Sequence, residues 1–182
     1  VVGFSNCDEA LDWIEINSPD VAFLDINMRG INGIALAEKL IIGSDHGGFE
    51  LKKEVIAHLE KRGIEVTDVG TSSTESCNYP DYARALCKRI QSGEFERGIL
   101  VCGTGIGISI AANKVKGIRC ALCSDTFSAH ATREHNDANM LAFGARVLGA
   151  GTALKIVDTF LDTPFSNDER HMRRIAKIEK GE

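Results

Sequence analysis

The chain has 182 residues, 43% hydrophobic and 26% charged, with a formal net charge of -5. That balance suits a folded domain with an appendage and excludes a largely disordered chain. The negative charge argues against nucleic acid as the main partner, and no apolar run is long enough to span a bilayer.

The first elements predicted are a strand at Val1–Phe4, a helix at Cys7–Ile16, a strand at Val21–Asp25 and a helix at Asn32–Lys39. From about residue 40 short apolar runs alternate with amphipathic stretches. Leu40–Gly43 reads as a strand. Phe49–Arg62 reads as a helix with Leu51, Val55, Ile56 and Leu59 on one face and Gly63 as its stop. Ile64–Val69 is a strand, and Tyr79–Ser92 a helix with Pro80 in its first turn. Gly98–Cys102 is a continuous apolar strand, as expected where both sheet faces are covered. There follow a small-residue helix at Gly105–Val115, a strand at Ile118–Cys123, a helix at Thr126–Glu134 and a strand at Met140–Phe143. Helices at Thr152–Leu161 and Arg170–Glu179 complete the chain. Five strands alternating with helices predict a parallel sheet covered on both faces, and ligands in such sheets bind beyond the carboxyl ends of the strands.

The opening VVGFSNCDEA has neither the basic start nor the apolar middle of a signal peptide. Six cysteines, Cys7, Cys77, Cys87, Cys102, Cys120 and Cys123, are spread over the chain, several of them in apolar runs. They read as reduced thiols of a cytoplasmic protein, not as a disulfide framework. Cys120 and Cys123 form a C-x-x-C inside a strand, whereas a redox pair needs a strand end and a helix start, so both read as small core residues.

Four groups of residues carry possible chemistry. Ser44-Asp45-His46-Gly47-Gly48 follows the strand at Leu40; Asp45 and His46 there suit hydroxyl binding and proton movement, though both types are also common in turns. Cys102-Gly103-Thr104-Gly105-Ile106-Gly107-Ile108-Ser109 ends a strand in a thiol and then alternates glycines into a helix start. Glycines let backbone N–H groups converge on an anion, and a thiol beside a helix start is a usable base or nucleophile. A nucleotide site stays open at this point, but the spacing is not a dinucleotide fingerprint and no P-loop lysine and hydroxyl pair follows. Arg133-Glu134-His135-Asn136-Asp137-Ala138-Asn139 packs polar groups before an apolar strand, with helix capping as the plainer role for His135. Arg146 follows the last strand, and Arg170-His171-Met172-Arg173-Arg174 puts Arg170 and Arg174 on one helix face, suited to a phosphate or simply to solvent.

In order along the chain, GSDHGG (43–48), YPDYA (79–83), CGTGIGISIAANK (102–114), REHNDANML (133–141), FGAR (143–146) and RHMRR (170–174) resemble the ribose-5-phosphate isomerase type B family over about residues 40–182. The resemblance implies a three-layer αβα sandwich on a five-stranded parallel, Rossmann-like sheet of order 2-1-3-5-4. It also implies a homodimer, sometimes paired into tetramers, with active sites at the subunit interface. The implied reaction moves a carbonyl between carbons 1 and 2 of a sugar phosphate through an enediolate, with no metal and no organic cofactor.

Cys102 stands at the family's cysteine-base position, and Ile108 occupies the position where another subgroup carries glutamate. Thr104 would relay the proton, backbone N–H groups across Gly103, Gly105, Ile106, Gly107 and Ile108 would form the anion hole, and His135 would open the sugar ring. Asp45 and Asn136 would hold hydroxyls; His46, Arg146, Arg170, His171 and Arg174 would surround the phosphate. His130 matches no family position and reads as a surface helix residue. Isomerases of six-carbon phosphates such as allose 6-phosphate or galactose 6-phosphate share this machinery. A sugar-phosphate-binding signalling fusion without turnover is the reading from another class.

That last reading comes from residues 1–39. PDVAFLDINMRGINGIALAEKL resembles the middle of a response-regulator receiver domain, with Asp25 at the phosphoryl-accepting position. The resemblance covers only a β-α-β-α piece. The acidic pair for Mg²⁺ and the later hydroxyl and lysine residues are missing, so Asp25 is expected to stay unphosphorylated. A helix running to Lys39 and a strand opening at Leu40 leave almost no connecting loop. The segment is therefore expected to be a fusion in front of a sugar-phosphate isomerase domain at 40–182.

Overall fold

The computed structural model describes residues 39–180. The elements predicted within residues 1–38, and Asp25 with them, lie outside the described residues. Five parallel strands, β1 (Lys39–Ser44), β2 (Glu65–Asp68), β3 (Arg97–Cys102), β4 (Cys120–Leu122) and β5 (Met140–Gly144), form one sheet of order β2-β1-β3-β5-β4. The helices are α1 (Phe49–Lys61), α2 (Tyr79–Gln91), α3 (Ile106–Ala112), α4 (Thr126–Asn136), α5 (Ala150–Asp162) and α6 (Glu169–Lys180).

Side chains alternate across a strand, and each face of this sheet has its own core. Leu40, Ile42, Ile99, Val101, Leu141 and Phe143 point toward α1, α4 and α5. Ile41, Leu100, Cys102, Met140 and Ala142 point toward α2 and α3. This two-sided burial is why the central strands read as unbroken apolar runs. Each fully buried Leu, Ile or Phe of this set contributes ~1.5–3 kcal/mol relative to leaving it in water. Helix faces match: Leu51, Val55 and Leu59 of α1 meet the first core, and Leu86 and Ile90 of α2 meet the second.

Boundaries differ from the sequence reading where side chains compete for the backbone. The strand predicted at Ile118–Cys123 is only Cys120–Leu122. The Ile118 N–H closes a turn on the Val115 carbonyl, and the Arg119 N–H goes to the Asn139 side chain. The helix predicted at Gly105–Val115 is only Ile106–Ala112, because the chain turns through 114–117 with Gly117 at φ +79. Lys39, predicted to end a helix, opens β1.

Candidate active site

At the carboxyl ends of β1 and β3 two turns touch. A Cβ on Gly47 would lie 3.0 Å from the Gly103 nitrogen, so the Asp45–Gly48 turn packs directly on the Cys102 turn. Gly48 is required there, since its Cβ would come within 2.4 Å of the Val101 carbonyl oxygen. Asp45 is buried and accepts the Gly48 N–H at 3.0 Å, which fixes its carboxylate at the strand end. His46 is half-buried, and its Nδ1 accepts the Cys77 N–H at 3.2 Å.

Cys102 closes β3, 4% exposed, and its sulfur accepts the Gly105 N–H at 3.0 Å. The Ala145 and Arg146 N–H groups donate to the Cys102 and Gly103 carbonyls at 2.9 and 3.0 Å, so the end of β5 holds the turn. The Arg146 guanidinium lies over Gly103, 3.5 Å from where its Cβ would stand. Thr104 is exposed, and its Oγ1 accepts the Ile106 N–H at 3.3 Å. Gly105 starts α3 at φ +79, and a Cβ there would meet the Phe143 backbone at 2.8–2.9 Å. Gly105→Ala combines left-handed strain with a backbone clash and is expected to cost about 2–4 kcal/mol. Chemical denaturation of the variant against the parent chain measures it.

A cavity of about 560 Å³ opens beside these turns, lined by Asp45, His46, Cys77, Asn78, Tyr79 and Arg84 among others. Tyr79 is the site residue that sequence reasoning missed. Its ring stands within 2.7 Å of where a Cβ of Gly107 would be, so it lies against the start of α3. The sequence shows it only as the first residue of a predicted helix and of the YPDYA motif.

The remaining predicted residues lie elsewhere. His135 and Asn136 end α4, just before β5 begins. The Asn136 carbonyl accepts from Arg119 Nε at 3.0 Å, and the Asn139 carbonyl accepts the Gly98 N–H at 3.0 Å, both at the amino ends of the strands. Cys102 is at the carboxyl end of β3, and six extended residues span about 16 Å. One chain therefore does not bring His135 to Cys102. Asn136 opens instead into a second cavity with Lys114, Ile118, Arg119 and Ile178.

The group around His135 is well built. Its Nε2 lies 3.0 Å from Glu134 Oε2, and its ring centroid lies 4.6 Å from that of His171. His171 is 4% exposed, with Nδ1 2.8 Å from Ser166 Oγ, so it supports the His135 ring. Arg170 and Arg174 project from the exposed face of α6, Arg170 pairing with Asp168 at 3.2 Å. His130, read as a surface residue, is exposed between Thr163 at 3.2 Å and Glu134 at 3.4 Å.

Burial, with Arg170, His135 and Arg174 nearby, holds the His171 pKa below the ordinary imidazole value, Asp168 opposing. The folded chain thus favours neutral His171. Its contribution is complete above the unfolded value of about 6.5 and is lost as pH falls through the lower folded value. Melting temperature is expected to fall on acidification below about pH 6.5, and less steeply in His171→Asn. Thermal unfolding of both chains across that range checks this.

Cys87, Cys120 and Cys123 are core groups. Burial pushes Cys87 and Cys123 up to about 11, and Cys120 still higher. Both members of the C-x-x-C are buried, as the sequence predicted. Among the described residues no cluster of three or more His, Cys, Asp or Glu side chains could hold a metal ion, and no helix is long and apolar enough to cross a membrane.

Ribose-5-phosphate isomerase B of Escherichia coli (strain K12) is 50% identical over 141 residues, covering 78% of this chain and 94% of that protein. The ribose-5-phosphate isomerase B structure from Clostridium thermocellum matches with a TM-score of 0.76 at 54% identity, covering 78% of this chain and 95% of that one. That from Thermotoga maritima matches with a TM-score of 0.77 at 52% identity, covering 79% and 99%. The family model described as Ribose/Galactose Isomerase matches residues 40–178, from the first described strand into the last helix. By this match the chain belongs to the ribose/galactose isomerase family.

Proposed function

We propose that the chain interconverts ribose 5-phosphate and ribulose 5-phosphate, with Cys102 as base, in active sites shared between two copies. The observation that carries this reading is the contact of the Asp45–Gly48 turn with the Cys102–Gly105 turn at the carboxyl ends of neighbouring strands. It sets the Asp45 carboxylate and the His46 imidazole of the cavity wall beside the turn that carries the Cys102 thiol, over which the Arg146 guanidinium lies. Ribose-5-phosphate isomerase B relatives at about half identity support the same substrate.

In the reaction the thiolate of Cys102 removes the proton from carbon 2. The C–H electron pair becomes the carbon 1–carbon 2 double bond, and negative charge moves onto the oxygen of carbon 1. The proton then goes to carbon 1 while the hydroxyl proton on carbon 2 passes to the neighbouring oxygen, with Thr104 as relay. Donors aimed at the developing charge lower this barrier most. The first N–H groups of a helix have no intrahelical partner. Ile106 donates to Thr104, which leaves Gly107 and Ile108 of α3 to face an oxyanion. Asp45 holds hydroxyls, while His46 and Arg146 bind the phosphate end, aligning carbons over the sulfur by remote binding.

His135, Asn136, Arg170 and Arg174 act on the partner copy's substrate, because a strand length separates them from Cys102 of their own chain. His135 protonates the ring oxygen to open the sugar. Ile106, Ile110, Leu122 and Phe127 are exposed at 45–78%, close to the Cys102 turn, and a second copy covers such apolar side chains. The free thiols fit a reducing cytoplasm. The residues before Lys39 are a receiver-like segment fused to this domain; the family match beginning at 40 supports a division there, with Lys39 already in β1.

The test is ribulose 5-phosphate formation by the full chain, with allose 6-phosphate and galactose 6-phosphate assayed beside it. Highest kcat/KM on the five-carbon substrate is expected. Preference for a six-carbon phosphate would overturn the substrate, and binding without turnover would point to a sensor.

A further inference from the structure

Lys52 of α1 is 1% exposed, an unusual place for an ammonium. Its Nζ lies 2.6 and 2.9 Å from the two Asp68 carboxylate oxygens and donates to the Thr71 carbonyl at 2.7 Å. These contacts use all three donors. Asp68 Oδ1 in turn accepts the Gly70 N–H at 2.8 Å, and the Val69 and Thr71 N–H groups continue the ladder to Ile42 and Ser44 at 2.9 Å. A Cβ on Gly70 would come within 2.9 Å of Nζ, so the ammonium packs on the backbone itself.

Beyond Thr71 the segment leaves the sheet, held by Thr71 Oγ1 with Ser73 and by Ser73 Oγ with the Glu75 N–H. It returns at the site. The Cys77 N–H donates to His46 Nδ1, Cys77 Sγ lies 3.8 Å from the same nitrogen, and Tyr79 follows against Gly107. A nitrogen that accepts a hydrogen bond has a free lone pair. Neutral His46 therefore carries its proton on Nε2 and is left to donate from there.

We propose that Lys52 is a positioning residue: by anchoring one end of the segment 68–79 it fixes the Nε2–H tautomer of His46 and the placement of Tyr79 for the sugar phosphate. This rests on the isomerase reading of the site. Lys52 touches no substrate, and the Cys102 turn has its own anchors at Ala145 and Arg146. Loss of Lys52 therefore weakens binding more than it slows proton transfer.

The experiment uses the full chain and Lys52→Ala, with two readouts. Long-range proton–nitrogen NMR reports the His46 tautomer without reference to activity. Steady-state kinetics on ribose 5-phosphate separate KM from kcat. The parent is expected to show the Nε2–H form, and Lys52→Ala both forms. KM is expected to rise about tenfold with kcat held within about threefold. Propylammonium, but not equal potassium chloride, is expected to restore KM by filling the vacated site. A folded Lys52→Ala chain with the parent's tautomer and KM overturns the proposal, as does a fall in kcat alone. If Lys52→Ala does not fold, Asp68→Asn, whose side chain is 39% exposed, carries the same test: a smaller rise in KM with tautomer mixing supports the anchor, and no change in either overturns it. A parent chain without turnover defeats the isomerase reading, while the NMR comparison still decides the role of Lys52.

Discussion

Replacing Cys102 by alanine is expected to lower kcat for ribose 5-phosphate by about a thousandfold or more, with the chain still folded. Removing the carbon 2 proton needs a base within hydrogen-bond reach, and Cys102 stands at the end of β3 in the turn that leads into α3. Asp45 is committed to the Gly48 N–H, and His46 Nδ1 to Cys77. Ile108, beside the turn, is buried hydrocarbon. The structural cost is small: losing one sulfur from a half-turn held by backbone bonds costs about 1 kcal/mol. Steady-state kinetics with a thermal melt separate the two effects, since a misfolded variant would lose both. Cys102→Ser is expected to fall nearly as far, because it keeps the hydrogen bond to Gly105 but offers a far poorer base.

Replacing His135 by asparagine is expected to reduce kcat/KM about a hundredfold, the usual worth of a positioned general acid. Ribose 5-phosphate is mostly closed, and without ring opening only its small open-chain fraction reacts. The side chain is 43% exposed, so stability is expected to change by only about 0.5 kcal/mol. Comparing kcat/KM and melting temperature with the parent checks both parts. His171, whose ring lies 4.6 Å from that of His135 and is tilted by 42° to it, and Glu134 at the His135 Nε2 hold the imidazole in place. The group around His135 is thus organised within one chain.

The sheet was legible because its signals are local. Runs such as Gly98–Cys102 are apolar on both faces, and stops such as Gly63 and Gly93 adopt positive φ, which glycine accepts. Sheet order followed from the family resemblance and matches that found. Ends set by side-chain competition were not legible: no pattern in Ile118–Cys123 reports that Asn139 takes the Arg119 N–H. The Asp45 and Cys102 groups could be placed together because both follow strands of a parallel sheet. The place of His135 was harder to read, because a residue near a helix end is assigned to a sheet edge only once the direction of the following strand is known. Tyr79, read only as part of the YPDYA motif, and Lys52 carried no predicted role, for a different reason. Each acts through a neighbour distant in sequence, Gly107 for one and Asp68 with Thr71 for the other, and neither pairing leaves a periodic trace.

The sharing of one site between two copies is tested most directly by mixing the two damaged chains. Cys102→Ala and His135→Asn are unfolded together in equal amounts, refolded and assayed on ribose 5-phosphate. Half of randomly paired dimers then contain one of each chain. In such a hybrid one site joins an intact Cys102 to an intact His135, and the other site holds both substitutions. Recovery to about a quarter of the parent's activity is expected from a mixture of two nearly inactive chains. Activity no greater than the average of the two separate variants would contradict the shared site and require Cys102 and His135 to serve independently of each other.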